Sequence, residues 1–361
     1  GYKYWVNLVS TERLKLNYKK EKISKQLEWR IKVIHKQFIQ YSKEILKIDI
    51  PKIIQEDLLN YQLEYFQNLF SLLNCYSKNK FLKNIKKIFM DYPKTDMRAI
   101  SLIVRKNKGK TYGFPHGSWI CHSLSKKPSY NEFLIFDYYF IYNKSQKVLF
   151  EDNLKENSSN SPIKFISQNS KAFTTFKLLY NFKVPVQIKT VMILEHQLWC
   201  DDIRWDLPET MILYEFYFFL CTLLSSYGYK IYFKKRPKSN LHNFDFFEKI
   251  NNVEIITGDI KEKKNLALAD TVIFMYGQSS TFVPLICSNK KLIYIDNGWE
   301  DWNPKIYNSL RKRCFIVKTI NDKDNKIRFK KKDLILSLKS SKKNIDNTFF
   351  DKFLSIDCES K

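Results

Sequence analysis

Apolar positions in the first quarter of the chain recur at helical spacing. Leu14, Tyr18, Ile23, Leu27, Ile31, Ile34 and Phe38 keep a rough helical period with Lys and Glu between them, which predicts mostly helix over residues 11 to 91. Pro51 opens a second helical run, Ile53 to Leu73, as proline does in a first turn. A third run, Phe81 to Met90, stops at Tyr92-Pro93. The heptads are too irregular for a coiled coil, and Phe66 and Phe70 suit packing on a domain. Then the texture changes. Ala99 to Val104 reads as a buried strand, Asn107-Lys108-Gly109-Lys110 as a turn, and Gly113 to Trp119 as a loop. Phe133 to Tyr142 reads as an aromatic strand or strand pair, and Lys155 to Pro162 as a loop or linker.

From Thr190 onward the alternation is regular. Thr190–Leu194, Lys230–Phe233, Val253–Ile256, Thr271–Phe274, Leu292–Ile295 and Phe315–Val317 are short β-rich runs. Between them lie helical segments: Pro208 to Tyr227, with Gly228 just past its end, then Asn243–Ile250, Lys261–Leu268, Ser280–Ser288 and Lys305–Arg311. Strands spaced by helices predict a parallel, doubly wound sheet. Right-handed crossovers then gather all strand C-termini on one edge. Lys339 to Lys343 is a polar loop before a last short helix, Phe349 to Leu354.

A length of 361 residues suits about two domains at roughly 150 residues each. The expected division is a helical then α/β acceptor-binding domain over 1–185 and a Rossmann-like nucleotide-donor domain over 186–335. A tail with a final helix over 336–361 is expected to pack back on the first domain. At 44% hydrophobic and 27% charged residues the balance is that of a globular protein, not a disordered one. No stretch approaches the roughly 20 apolar residues of a membrane span; the densest, Tyr214 to Leu224, reads as a buried helix. The opening Gly1-Tyr2-Lys3-Tyr4-Trp5 is not a signal-peptide pattern, and a start on Gly points to a trimmed or excised chain. Seven Cys at irregular spacing, with no zinc pattern, point to free thiols in a reducing compartment.

The net charge of +25 changes the picture of partners. Part of it goes with the general abundance of Lys, Asn, Ile, Phe and Tyr and the scarcity of Gly. The rest suits an anionic partner, either phosphorylated substrates or an acidic membrane surface. Lys is scattered rather than confined to one stripe, which argues against nucleic acid.

In an open parallel sheet the ligand sits at the strand C-terminal edge. The segments following the strands there are all polar: Glu195-His196-Gln197, Lys234-Lys235-Arg236-Pro237-Lys238, Gly258-Asp259, Tyr276-Gly277-Gln278-Ser279-Ser280-Thr281 and Asp296-Asn297-Gly298. The Gly277-to-Thr281 turn offers hydroxyls and backbone N–H groups for a phosphate, although Ser and Thr are equally good helix N-caps. Lys235 and Arg236 could neutralise a diphosphate or carboxylate, or could belong to a solvated basic loop. In the first half, Pro115-His116-Gly117-Ser118-Trp119 is the outstanding segment. His116 beside a glycine suits a general base, with Asp137, Glu132 and Glu195 as other candidate bases. No Walker motif, GxGxxG, HExxH or GxSxG occurs.

These residues resemble the GT-B transferases of bacterial surface carbohydrates, capsule and lipopolysaccharide enzymes that use CMP-linked sugars. They are also similar in pattern to the CDP-glycerol glycerophosphotransferases. The resemblance rests on His116-Gly117 ahead of Asp137-Tyr138-Tyr139, and on the strand Lys230 to Phe233 running into Arg236-Pro237. Ala269 to Phe274, Ser279-Ser280-Thr281-Phe282 and Lys291 to Ile295 complete it. It covers the chain from Ile100 to about Ile320, with little signal between Asn143 and Lys189. Arg236 stands where the family usually has His, and the acidic residue that commonly follows the Ser-Ser segment is missing from Phe282-Val283-Pro284-Leu285.

The resemblance implies a GT-B-like α/β fold of two Rossmann-like domains facing a cleft, the first strongly helical. It implies a metal-independent glycosyltransferase without a cofactor, taking a nucleotide-activated sugar, CMP-Kdo or CMP-sialic acid favoured. The acceptor would be a surface polysaccharide or lipid-linked glycan. Lys235, Arg236, Gln278, Ser279, Ser280 and Thr281 would bind the donor, Gly117, Ser118 and Trp119 the acceptor, and His116, Asp137 and Glu195 would carry catalysis. The expected location is cytoplasmic, peripheral to the inner face of the membrane. The competing readings are an alditol-phosphate transferase of the CDP-glycerol type, a degenerate GT-B scaffold, and a non-catalytic binder of nucleic acid or another anionic polymer.

Overall fold

The computed structural model describes residues 22–45, 47–90, 95–115, 135–156, 163–167, 172–183, 185–195, 210–236, 245–260, 262–277, 279, 281–300, 302–324, 326–340 and 346–355. They fall into two compact units. The first takes the described residues through Phe114 together with 135–139 and 163–164; the second takes Pro115, 140–156 and everything described from 165 onward.

The first unit opens on α1 (Lys25–Glu44), capped by Ser24, whose hydroxyl accepts a 3.2 Å hydrogen bond from the Leu27 N–H. Pro51 precedes α2 (Lys52–Lys78), as the sequence predicts. Asn79 then caps α3 (Lys80–Asn84) by accepting from the N–H groups of Phe81 and Leu82. The run Phe81 to Met90, expected to be one helix, instead breaks after α3 and continues as β1 (Lys87–Met90). Its alternating burial, with Ile88 and Met90 inside, is the period-two signature of a strand.

A second expectation is overturned by α4 (Thr95–Lys106), which contains the predicted strand Ala99 to Val104. Ala99, Ile100, Ile103 and Val104 are buried and share one helical face, while Leu102 is 44% exposed. A six-residue apolar run has no period of its own to separate the two, and here the helix buries the better face. β2 (Lys110–Gly113) follows, and β1, β2 and β3 (Tyr138–Ile141) pair in parallel. The run Phe133 to Tyr142 therefore contributes one four-residue strand among the described residues. After α5 (Lys144–Glu156), β4 (Lys164–Ser167) completes a sheet of order β1-β2-β3-β4, and α6 (Ala172–Leu179) follows.

The second unit is built on β5 (Thr190–Leu194), α7 (Thr210–Ser226), β6 (Lys230–Lys234), α8 (Asp245–Glu248), β7 (Val253–Ile256) and α9 (Lys263–Ala267). Next come β8 (Thr271–Phe274), α10 (Phe282–Cys287), β9 (Lys291–Asp296), α11 (Pro304–Arg313) and β10 (Phe315–Asn321). β11 (Ile327–Phe329), α12 (Lys331–Lys339) and α13 (Thr348–Phe353) end it. Gly228 stops α7 in the left-handed conformation, φ 80°, that favours glycine.

The seven-stranded sheet runs β11-β10-β9-β8-β5-β6-β7. All pairs from β7 to β10 are parallel and β11 is antiparallel to β10. Counted from β5, its parallel strands have the order 3-2-1-4-5-6 of the doubly wound dinucleotide-binding folds. The chain is thus α/β, with two Rossmann-like α/β units as a GT-B-like fold requires. The six predicted strands are all present; β11 and α12 are additions to the reading.

Strict alternation sorts the strand side chains to two faces. Met192, Leu194, Val272, Phe274, Leu292 and Tyr294 pack toward α10, α11 and α13. Val191, Ile193, Ile231, Phe233, Ile273, Ile293 and Ile295 pack toward α7 and α12. The apolar segment Tyr214 to Leu224 is a core helix, with Phe216, Tyr217, Leu220 and Leu224 fully buried. Among the described residues no helix is long and apolar enough to cross a membrane. The last helix, α13, buries Phe349, Phe350 and Phe353 in the second unit, and Asn143 and Gln146 donate to the carbonyls of Lys352, Ser355 and Phe353.

Candidate functional site

Strand order reverses between β5 and β8, so the topological switch point lies where Glu195 follows β5 and where the Met275-to-Thr281 turn follows β8. Glu195 is 8% exposed. Its N–H extends the ladder to the Lys234 carbonyl, and its carboxylate accepts the Arg236 N–H at 2.6 Å. Glu195 therefore shapes the basic turn after β6. Lys234 is buried beside it, and burial lowers its ammonium pKa against the opposing pull of Glu195 and Asp259. Lys235 is half-buried, its N–H donating to the Ile256 carbonyl, and Arg236 is exposed at the rim.

The turn after β8 is held from below by a carboxylate the sequence reading did not single out. Glu300, 8% exposed, accepts the Gly277 N–H through both oxygens, at 3.0 and 2.8 Å. It also accepts the Tyr294 hydroxyl at 2.7 Å, and the Trp302 indole N–H donates to that hydroxyl at 3.1 Å. Burial and the adjacent carboxylate push the Tyr294 phenol well above its ordinary pKa, so it stays a donor. Gly277 is required there: a Cβ would stand 2.5 Å from the Trp302 ring. Glu300 lies between two tryptophans, Trp299 and Trp302, and that flanking was the available signal.

Ser279 and Thr281 face each other, their hydroxyl oxygens 2.6 Å apart. Thr281 occupies the N-cap position of α10 without a side-chain cap bond, so the simple capping role is not the one its hydroxyl plays. At the end of β9, Asp296 accepts the Gly298 N–H at 3.1 Å and the Tyr307 hydroxyl. Next to it, the amide nitrogen and oxygen of Asn297 are both shielded from solvent and have no hydrogen-bond partner among the described residues.

Asp137 sits at the opposite, N-terminal edge of its strands. Its Oδ2 accepts the Thr111 N–H at 2.9 Å and the Thr111 hydroxyl at 3.1 Å, with Arg105 and Lys110 at 3.7 and 3.9 Å from Oδ1. The structure thus brings Glu195, Lys235, Arg236, Ser279 and Thr281 to one edge of the seven-stranded sheet, while Asp137 belongs to the other unit. His116, Gly117, Ser118, Trp119, Glu132, His196, Pro237, Lys238, Gln278 and Ser280 lie outside the described residues.

No family model and no curated protein sequence matches the chain. Among solved structures it is similar to the UDP-GlcNAc 2-epimerase of Methanocaldococcus jannaschii in complex with UDP-GlcNAc and UDP. The identity is 14% and the TM-score 0.45, with 79% of each chain covered. It is also similar to an Arabidopsis thaliana protein solved with UDP, at 11% identity and TM-score 0.48, covering 79% of this chain and 71% of the other. Likeness at this level carries neither activity nor ligand to this chain.

Proposed function

We propose that the protein is a GT-B-type glycosyltransferase that takes a nucleotide-activated sugar, CMP-Kdo or CMP-sialic acid favoured, and transfers the sugar to a surface-polysaccharide or lipid-linked acceptor. The observation that carries this reading is the 3-2-1-4-5-6 strand order with its polar groups gathered at the switch-point edge. Apolar strands that end in Glu195, Lys235-Arg236 and Ser279-Thr281 suit a ligand with an anionic centre.

In this reading Arg236 compensates phosphate charge, and the hydroxyls of Ser279 and Thr281, with Lys235, Gln278 and Ser280, hold the phosphate oxygens. The acceptor hydroxyl attacks the anomeric carbon. A new glycosidic C–O bond forms, the bond to the phosphate oxygen breaks, and the nucleotide leaves with the electron pair. His116 takes the hydroxyl proton, while Gly117, Ser118 and Trp119 hold the acceptor. The net charge of +25 suits an acceptor presented at an anionic cytoplasmic membrane face.

The test is His116→Ala. Transfer should fall by about 100-fold or more, the usual worth of a general base, while nucleotide binding and melting temperature stay at wild-type values. Unchanged turnover would remove His116 from the chemistry.

A further inference from the structure

Helix α1 and the first half of α2 leave large apolar side chains in water. Ile34, Phe38, Tyr41 and Ile45 on the first and Ile54, Tyr61 and Tyr65 on the second are between 36 and 68% exposed. They are not scattered. With Leu27 and Ile31, the α1 set falls at 27, 31, 34, 38, 41 and 45; with Leu58, the α2 set falls at 54, 58, 61 and 65. Both sets follow the alternating steps of four and three that make an a/d seam. The heptads look irregular over residues 11 to 91 because the phase changes between the helices, and because Phe66 and Phe70 lie off the α2 seam.

The two seams lie on one face. The short connection between Ile45 and Pro51 makes α1 and α2 antiparallel neighbours. They meet along a line marked by His35 and Gln62, whose Nδ1 and Oε1 are 3.1 Å apart. Each of these residues directly follows a d position, Ile34 in one helix and Tyr61 in the other. Because the helices run in opposite directions, this turns both seams to the same side of the contact line. An aromatic side chain has roughly 150–250 Å² to bury, and Ile somewhat less. Seven such side chains at about half exposure therefore present several hundred Å². That exceeds what a monomer ordinarily leaves bare and approaches the ~800 Å² that one partner contributes to a stable interface.

Charge decides what covers this face. α1 carries five basic residues against Glu28 and Glu44. α2 is different: between its terminal Lys52 and Lys78 it has only acidic charges, Glu56, Asp57 and Glu64. Asp57 and Glu64 border the α2 seam, directly before Leu58 and Tyr65. An anionic bilayer would be repelled by that half of the face. A second copy is complementary to it, because a two-fold axis sets the basic α1 of each copy over the acidic α2 of the other. We propose that the exposed face of the α1–α2 hairpin joins two copies of this chain in an isologous four-helix interface, with the two pairs of seams packed on each other. The dimer holds whether or not the sheet edge of the second unit binds a nucleotide.

Sedimentation velocity of the full chain over a concentration series tests this. Wild type should sediment as a dimer that dissociates on dilution. Ile45→Lys/Tyr61→Lys puts a charge into each seam at positions that are exposed in the single chain. It should weaken the dimer by about 100-fold or more, as central interface residues do, with the circular dichroism spectrum unchanged. If that variant does not fold, Ile45→Ser/Tyr61→Ser makes the same test without added charge. Trp29 is also exposed but stands off the seam, roughly 140° around α1 from Ile34. Trp29→Lys should leave the dimer affinity unchanged. A wild type that stays monomeric up to its solubility limit would overturn the proposal. So would a dimer indifferent to the seam substitutions, or one weakened as much by Trp29→Lys. A monomer that floats with phosphatidylglycerol vesicles, and loses this with Ile45→Lys/Tyr61→Lys, would give the face to lipid and also overturn it.

Discussion

The two edges of the seven-stranded sheet spend their polar groups differently. At the N-terminal edge buried and half-buried polar side chains close onto the backbone. Asp270 accepts the N–H groups of Lys189 and Thr190, at 2.8 and 2.9 Å. Lys290 donates to the Ala269 carbonyl, and Lys291 to those of Leu338 and Ser340. Arg313, 1% exposed, donates to the carbonyls of Leu285, Ile286, Ser288 and Lys290, fixing the end of α10 against the starts of β9 and β10. At the C-terminal edge Glu195 and Glu300 likewise hold turns, but Asn297 is left unmet, and Arg236 stands exposed at the rim. Among the described residues, one edge has its buried side-chain bonds met within the chain. The other leaves the Asn297 amide unmet among the described residues.

Arg313→Met should give the largest effect. It leaves several carbonyls unpaired in the interior, at about 1–3 kcal/mol each, partly offset by no longer burying a charge. We expect a loss of about 2–4 kcal/mol in urea unfolding. A change under about 0.5 kcal/mol, the usual surface value, would mean that the N-terminal edge is not the structural one.

Lys291 should give a smaller, pH-dependent effect. Burial lowers its ammonium pKa to about 8. Because the folded value lies below the unfolded one, the unfolded chain holds more protons between about pH 8 and about pH 10.4. The Lys291 contribution is therefore fully present above that window and lost as pH falls through about 8. Wild type should gain stability relative to Lys291→Met as pH is raised from 7 to 9.5. Parallel stability profiles for the two proteins would contradict this placement of the side chain.

The same contrast explains how far the sequence could be read. β5, β7 and β8 run between the expected residues because each is a short β-branched or aromatic run bounded by turns and separated by helices. Ala99 to Val104 failed because its burial is set by the neighbours of α4, and a six-residue run has no period to reveal them. β11 was missed because three residues, paired antiparallel to β10, are too short to stand out. At the site, Ser279, Thr281 and Arg236 were visible because they directly follow strands. Glu300 was not, because its carboxylate reaches back from beyond the β9 turn to Gly277, a contact made only by the fold. Asn297 stood in the polar edge segment, but its unmet bonds exist only once β9 and its turn are closed.

The central claim is that the C-terminal edge of the second sheet binds a nucleotide, and thermal shift of the wild-type protein with CMP, CDP, UDP and GDP tests it most directly. A ligand that binds the folded state raises the melting temperature by mass action, by about 2.7 kcal/mol of stability at 100 times its Kd. The account predicts a saturable shift with a cytidine nucleotide, largest with CMP. No shift with any of the four, together with steeply salt-dependent binding of DNA or RNA, would contradict it.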